Sequence, residues 1–198
     1  MNDIHPLWIL LAAITTNNIL LAHFLGMCSF VACSRQIRTA IGLGAAVTFV
    51  LTCTAPINWL IYYGLLNNPA LLAGNLSFLT YIVFIAVIAA FVQLVEMILE
   101  RFAPHLHQAL GIFLPLITVN CAILGASLFM VIRQYSLLQS VAFGLGAGLG
   151  WSLAIVLLAG LSKKMRYSNI PKPFQGPAII MIVTGIMAMA FLGFAGLQ

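Results

Sequence analysis

Two thiols and one acid carry most of the chemistry this chain could perform. Cys28 follows Gly26 and Met27 in FLGMC, and Cys121 follows Asn120 in LITVNCA. Two thiols brought together could form a disulfide, hold a soft metal, or supply half the ligands of an iron–sulfur cluster; kept apart, they would be small apolar packing groups. Cys33 and Cys53 lack this kind of pairing and read as packing residues. No CxxC spacing occurs, which argues against a zinc finger or a secreted disulfide scaffold. The acid set deepest in apolar sequence is Glu96, in FVQLVEMILERF. Gln93, Glu96 and Glu100 share a helix face by their three-to-four spacing. At that depth a carboxylate could contact a cation, accept a proton or snorkel, though a Glu side chain is short for snorkelling. Thr15, Thr16, Asn17, Asn18 and His23 make the run before Cys28 unusually polar. His23 is expected to hydrogen-bond at a helix contact in preference to binding metal. P-loop, dinucleotide, HExxH and nucleophile-elbow patterns are lacking, so no catalytic residue is assigned.

The elements that must position these residues are membrane spans. The 198 residues are 63% apolar and 6% charged, whereas a soluble domain carries roughly a quarter of its residues as charges. Lipid is the expected solvent, and residues 1–198 are expected to form a single integral membrane domain. The net charge of +5 comes from basic residues at segment ends, without a stripe or aromatic interleaving, so nucleic acid is not an expected partner. MNDIHPLW lacks a basic n-region and reads as the start of the first span.

Six spans are expected, at about 8–31, 39–63, 77–99, 109–132, 138–161 and 176–196, each close to the roughly 20 residues a membrane requires. The fold class is therefore an all-α membrane bundle. Connections after spans one, three and five hold Arg35, Arg38, Arg101, Lys163, Lys164, Arg166 and Lys172, against Arg133 alone on the other side. The basic side should be cytoplasmic, with both termini outward. Gly42–Ala45 (GLGA) recurs as Gly144–Ala147, and Cys28 has its counterpart in Cys121. These matches suggest two three-helix repeats, about 1–101 and 102–198, which an odd span number makes inverted. That symmetry would bring the two cysteines towards a common centre. Pro115 predicts a break in span four near Gly111–Pro115, and the polar run predicts another in span one. Met181, Met187, Met189 and the span glycines read as packing residues. The basic KKMRYSNIPKPFQGP connection sets topology and could meet lipid head groups or a partner subunit.

FLGMC, LGIFLPLITVNCA, QLVEMILERF, GLGAGLGW and YSNIP together resemble the NqrDE/RnfAE family, over essentially the whole chain. These are membrane subunits of the sodium-translocating NADH:ubiquinone reductase and of the Rnf ferredoxin:NAD oxidoreductase. VEMILERF, Trp151 and YSNIP favour the E-type reductase branch. The resemblance implies six spans in inverted repeats, pairing with a homologous D-type (NqrD-like) subunit of opposite topology, within a six-subunit complex of the bacterial inner membrane. It implies that Cys28 and Cys121 supply two of the four ligands of a [2Fe–2S] cluster shared with that partner. It further implies NADH, FAD, FMN and riboflavin elsewhere in the complex, electron transfer coupled to Na+ export, and a sodium contact at Glu96. Catalysis would belong to the complex. An acidic Glu-Asn pair common before FLGMC is replaced here by Thr16-Asn17-Asn18. An RnfA-type subunit, or a stand-alone inverted-repeat transporter of ions or solutes, are the competing readings; the transporter would have no use for a thiol pair.

Overall fold

The computed structural model describes all residues except 1–4, 35, 67–76, 103–113, 166, 169–170 and 196–198. Arg35, Arg166, Gly111 and the first residues of span four therefore lie outside the described residues. Every regular element among those described is helical. The helices are α1 (Pro6–Ile14), α2 (Ile19–His23), α3 (Met27–Cys33), α4 (Ile37–Ile61), α5 (Ser77–Phe102), α6 (Leu114–Thr118), α7 (Cys121–Ile132), α8 (Leu137–Met165) and α9 (Pro177–Ala195). Among the described residues, four stretches are long and apolar enough to cross a membrane: Ile37–Gly64, Leu79–Ile98, Pro115–Ile132 and Leu137–Met165. Pro177–Gly193 is a shorter apolar helix.

The first expected span is built from three short helices, interrupted where its polar run lies. Asn17 and Asn18 stand between α1 and α2, and Phe24 to Gly26 between α2 and α3. The expected break near Gly111–Pro115 in span four lies largely outside the described residues; within them the span is interrupted at Val119 and Asn120.

The bundle is organised around α4 and α8, which cross antiparallel. A Cβ on Gly148 would lie 2.7 Å from Thr48 Cα, and one on Gly144 would lie 2.9 Å from Leu51 O. Gly44 meets Ser152 in the same way. The glycines that read as packing residues thus let two backbones touch. Helix α1 runs alongside α8, with Gly146 against Leu10 O and Gly150 against Ala13 O. Helix α5 is antiparallel to α4, since Phe49 meets Phe91 and Tyr62 meets Phe84.

These directions gather Arg38, Arg101, Lys163 and Lys164 at one end of the bundle. Arg133 stands at the other, where the Trp59 indole donates to Tyr135 O at 2.8 Å. The exterior is apolar: Leu79, Ile82, Ile85, Met97, Ile186 and Leu192 are all exposed. Only Phe84, Ile88 and Val92 of the described α5 side chains are buried, one narrow seam at four-residue spacing.

Candidate functional site

Each cysteine of interest begins a helix. Cys28 is the second residue of α3, after Gly26 as N-cap, and Cys121 is the first residue of α7, after Asn120 as N-cap. The two N-caps use different chemistry. Asn120 has an extended backbone and its Oδ1 accepts the Ala122 N–H at 3.0 Å, satisfying an amide donor that a helix start leaves open. Gly26 has no side chain to do this. It takes φ +84°, a left-handed conformation that costs glycine little.

The two breaks are joined directly. The Gly26 N–H donates to Cys121 Sγ at 2.9 Å, across 95 positions of sequence. Asn120 Nδ2 donates to Ser29 Oγ at 3.3 Å, and Ser29 Oγ donates to Gly26 O at 3.1 Å. Asn120 is 2% exposed and Ser29 is fully buried, so this small polar network is shielded and its members satisfy one another. Backbone of the first half thus binds the sulfur of the second, and a side chain of the second binds a side chain of the first.

A second asparagine holds the earlier break. Asn18 Oδ1 accepts the Leu20 N–H at 3.0 Å, while its Nδ2 donates to Gly150 O at 2.8 Å and Ile14 O at 3.3 Å. Of the adjacent asparagines, Asn18 is buried and Asn17 exposed, which is how the chain accommodates two amides in an apolar segment. Thr15 and Thr16 bond back to Leu11 O and Ala12 O. The exposed His23 ring packs on Phe129, with centroids 4.7 Å apart.

Cys28 and Cys121 are exposed, whereas Cys33 is buried and Cys53 half-buried. Exposure is unusual for a thiol used in packing. A chain that donates an amide to one sulfur and leaves both sulfurs open suits ligation by thiolate. No group of three or more His, Cys, Asp or Glu side chains comes together among the described residues. Two exposed thiols fit half the donor set of a four-thiolate cluster.

Glu96 stands half-buried on α5, with Gln93 and Glu100 exposed. A separate cleft of about 330 Å³ opens at the Arg133 end and is lined by Trp8, Thr15, Asn17 and Tyr135 among others, but by neither cysteine. There the Arg133 guanidinium donates to the Tyr135 hydroxyl at 3.1 Å and lies over the Phe129 and Phe143 rings. Ser29 was not distinguishable in the sequence, where it is one serine in MCSF; Gly26 carried a signal, a glycine two residues before a cysteine.

Fold and site together define an all-α membrane protein whose interrupted helices meet, with an exposed cysteine in the first turn of two of them. The chain belongs to the Rnf-Nqr family: the model described as "Rnf-Nqr subunit, membrane protein" matches residues 7–198. It is 51% identical to the E subunit of the Na(+)-translocating NADH-quinone reductase of Psychromonas ingrahamii, over 98% of both chains. It is 52% identical to the proteins of the same name from Serratia proteamaculans and Neisseria meningitidis, again over 98% of each chain. The resemblance carried by FLGMC and LGIFLPLITVNCA thus holds across the chain, on the E-type side of the family.

Proposed function

We propose that this chain is the E-type membrane subunit of a redox-driven sodium pump that oxidises NADH and reduces ubiquinone. In this reading Cys28 and Cys121 hold one half of a [2Fe–2S] cluster, and a homologous D-type subunit of opposite topology supplies the other two thiolates. When bound, the cluster supplies a one-electron relay within the membrane, between flavin on the cytoplasmic side and flavin on the outer side. The chain's own contribution is placement. The two half-helices begin beside one another, the Gly26 amide steadies the Cys121 sulfur, and Asn120 and Ser29 tie the breaks together. The observation that carries this reading is the Gly26 N–H to Cys121 Sγ bond, made between two breaks whose cysteines both stay exposed.

Six spans in two inverted repeats belong to the same proposal, with α1 to α3 together forming the first span. The recurrence of GLGA at 42–45 and 144–147, in two helices that cross antiparallel, supports it. The Arg38, Arg101, Lys163 and Lys164 end would be cytoplasmic and the termini periplasmic, in a bacterial inner membrane. Half-buried Glu96, near the basic end of α5, would contact Na+ before export.

The test is the [2Fe–2S] signal of the purified complex. Cys28→Ala and Cys121→Ala should each abolish it and lower the iron content, while Cys33→Ala should keep both. A retained signal in either of the first two variants refutes the cluster assignment. Glu96→Gln should weaken the sodium dependence of turnover with the cluster intact; unchanged sodium activation would remove Glu96 from the ion path.

A further inference from the structure

Trp151 is fully buried in α8, yet its Nε1–H has no hydrogen-bond partner among the described residues. Nearly all buried donors are satisfied, because leaving one without a partner forfeits the hydrogen bond it made to water. Phenylalanine would fill much of the same space without that penalty. The location of the orphaned donor is informative. A Cβ built on Gly26 would lie 2.5 Å from Trp151 Nε1 and 3.1 Å from Asn120 Oδ1. The indole nitrogen therefore sits at the junction where the Gly26 amide donates to Cys121 Sγ. The other buried unpartnered side-chain atoms of the described residues, Asn58 Oδ1 and Ser162 Oγ, belong to the C-terminal parts of α4 and α8.

Trp151 is also held in place. Gly148 lies against Thr48 and Gly150 against Ala13 O, so the α8 backbone on its N-terminal side is fixed by close approach. A donor fixed in this way needs no reorganisation when charge arrives nearby.

We infer that Trp151 is a positioning residue for the redox step, its indole N–H dipole stabilising the charge added at the Cys121 side of the site on reduction. The inference rests on the proposed cluster. One-electron reduction adds one negative charge to the bound group, and no protein bond is made or broken. Amide and indole N–H dipoles beside sulfur favour the more negative form, which raises the reduction potential.

The experiment is an EPR-monitored redox titration, with dithionite as the one-electron source, of the purified complex carrying Trp151→Phe. The expected result is a full cluster spin count with the midpoint shifted downward. A tenfold smaller ratio of reduced to oxidised cluster at fixed ambient potential corresponds to about 59 mV for one electron. An unchanged midpoint with the cluster present overturns the inference and leaves the proposed function standing. A wild-type complex with no [2Fe–2S] signal overturns both. If the Phe variant does not assemble, wild-type complex labelled with 15N in the tryptophan indole decides the matter by pulsed EPR. A resolved 15N coupling in the reduced state supports the placement, and its absence overturns it.

Discussion

The two cysteine-bearing breaks do the same job by different means. In the second half, Asn120 caps α7 with its own side chain and keeps an ordinary backbone. In the first half, Gly26 starts α3 in a left-handed conformation, with Phe24 also left-handed at φ +54°. The asymmetry follows from what surrounds each break. Trp151, Ala122 and Asn120 crowd the position a Gly26 side chain would take, so an amide cap cannot fit there. Both breaks thus place a cysteine in the first turn of a helix, and they differ in the backbone conformation and the residue that starts it.

The largest expected effect lies in the thiols, where the two halves should be equivalent. Cys28→Ser and Cys121→Ser should each remove the cluster signal, and the double variant should be no worse, since both act on one unit. Retention by one variant alone would show that the halves contribute unequally. Next comes Gly26→Ala. Backbone strain at this φ costs about 1–3 kcal/mol, and the contact with Trp151 adds overpacking, so the melting temperature of the purified complex should fall clearly. The matched change on the other side, Asn120→Gly, should cost a few tenths of a kcal/mol as a cap substitution and about 0.5–1.5 kcal/mol more for the lost bond to Ser29. Equal losses would contradict the view that the two caps work differently.

Smaller effects sharpen the same contrast. Asn120→Ala should lower stability by about 0.5–2 kcal/mol through the lost cap. Asn18→Ala should exceed it by about 1 kcal/mol, because Gly150 O then loses its buried donor. The order can be read from thermal denaturation, and a reversal would demote Asn18. Ser29→Ala removes two hydrogen bonds, the one from Asn120 Nδ2 and the one to Gly26 O, at about 1–3 kcal/mol together. A Ser29 effect as large as that of Gly26 would mean that the polar network, not the glycine conformation, holds the breaks together.

Much of the site was legible because the sequence had to interrupt its own hydrophobicity there. Cys28, Cys121, Asn18 and Asn120 all stood out as groups that lipid does not tolerate without a reason. The interruption at Val119 and Asn120 falls beyond Pro115, where only the amide beside Cys121 marked it. Ser29 and the orphaned indole of Trp151 had no sequence signal, since serine bonding and tryptophan burial are decided by neighbours far along the chain.

Composition and the placement of charge were enough to determine a helical membrane protein with its basic residues on one side. So few charges cannot cover a water-facing surface, and apolar runs of this length have only one way to satisfy their backbone. Which residues cap the breaks, and that Gly26 donates to the sulfur of a cysteine 95 positions away, was decided by the tertiary structure alone. Hydrogen bonds across interrupted helices depend on the register of packed backbones, and here that register is set by glycines pressed against Thr48, Leu51 and Ala13.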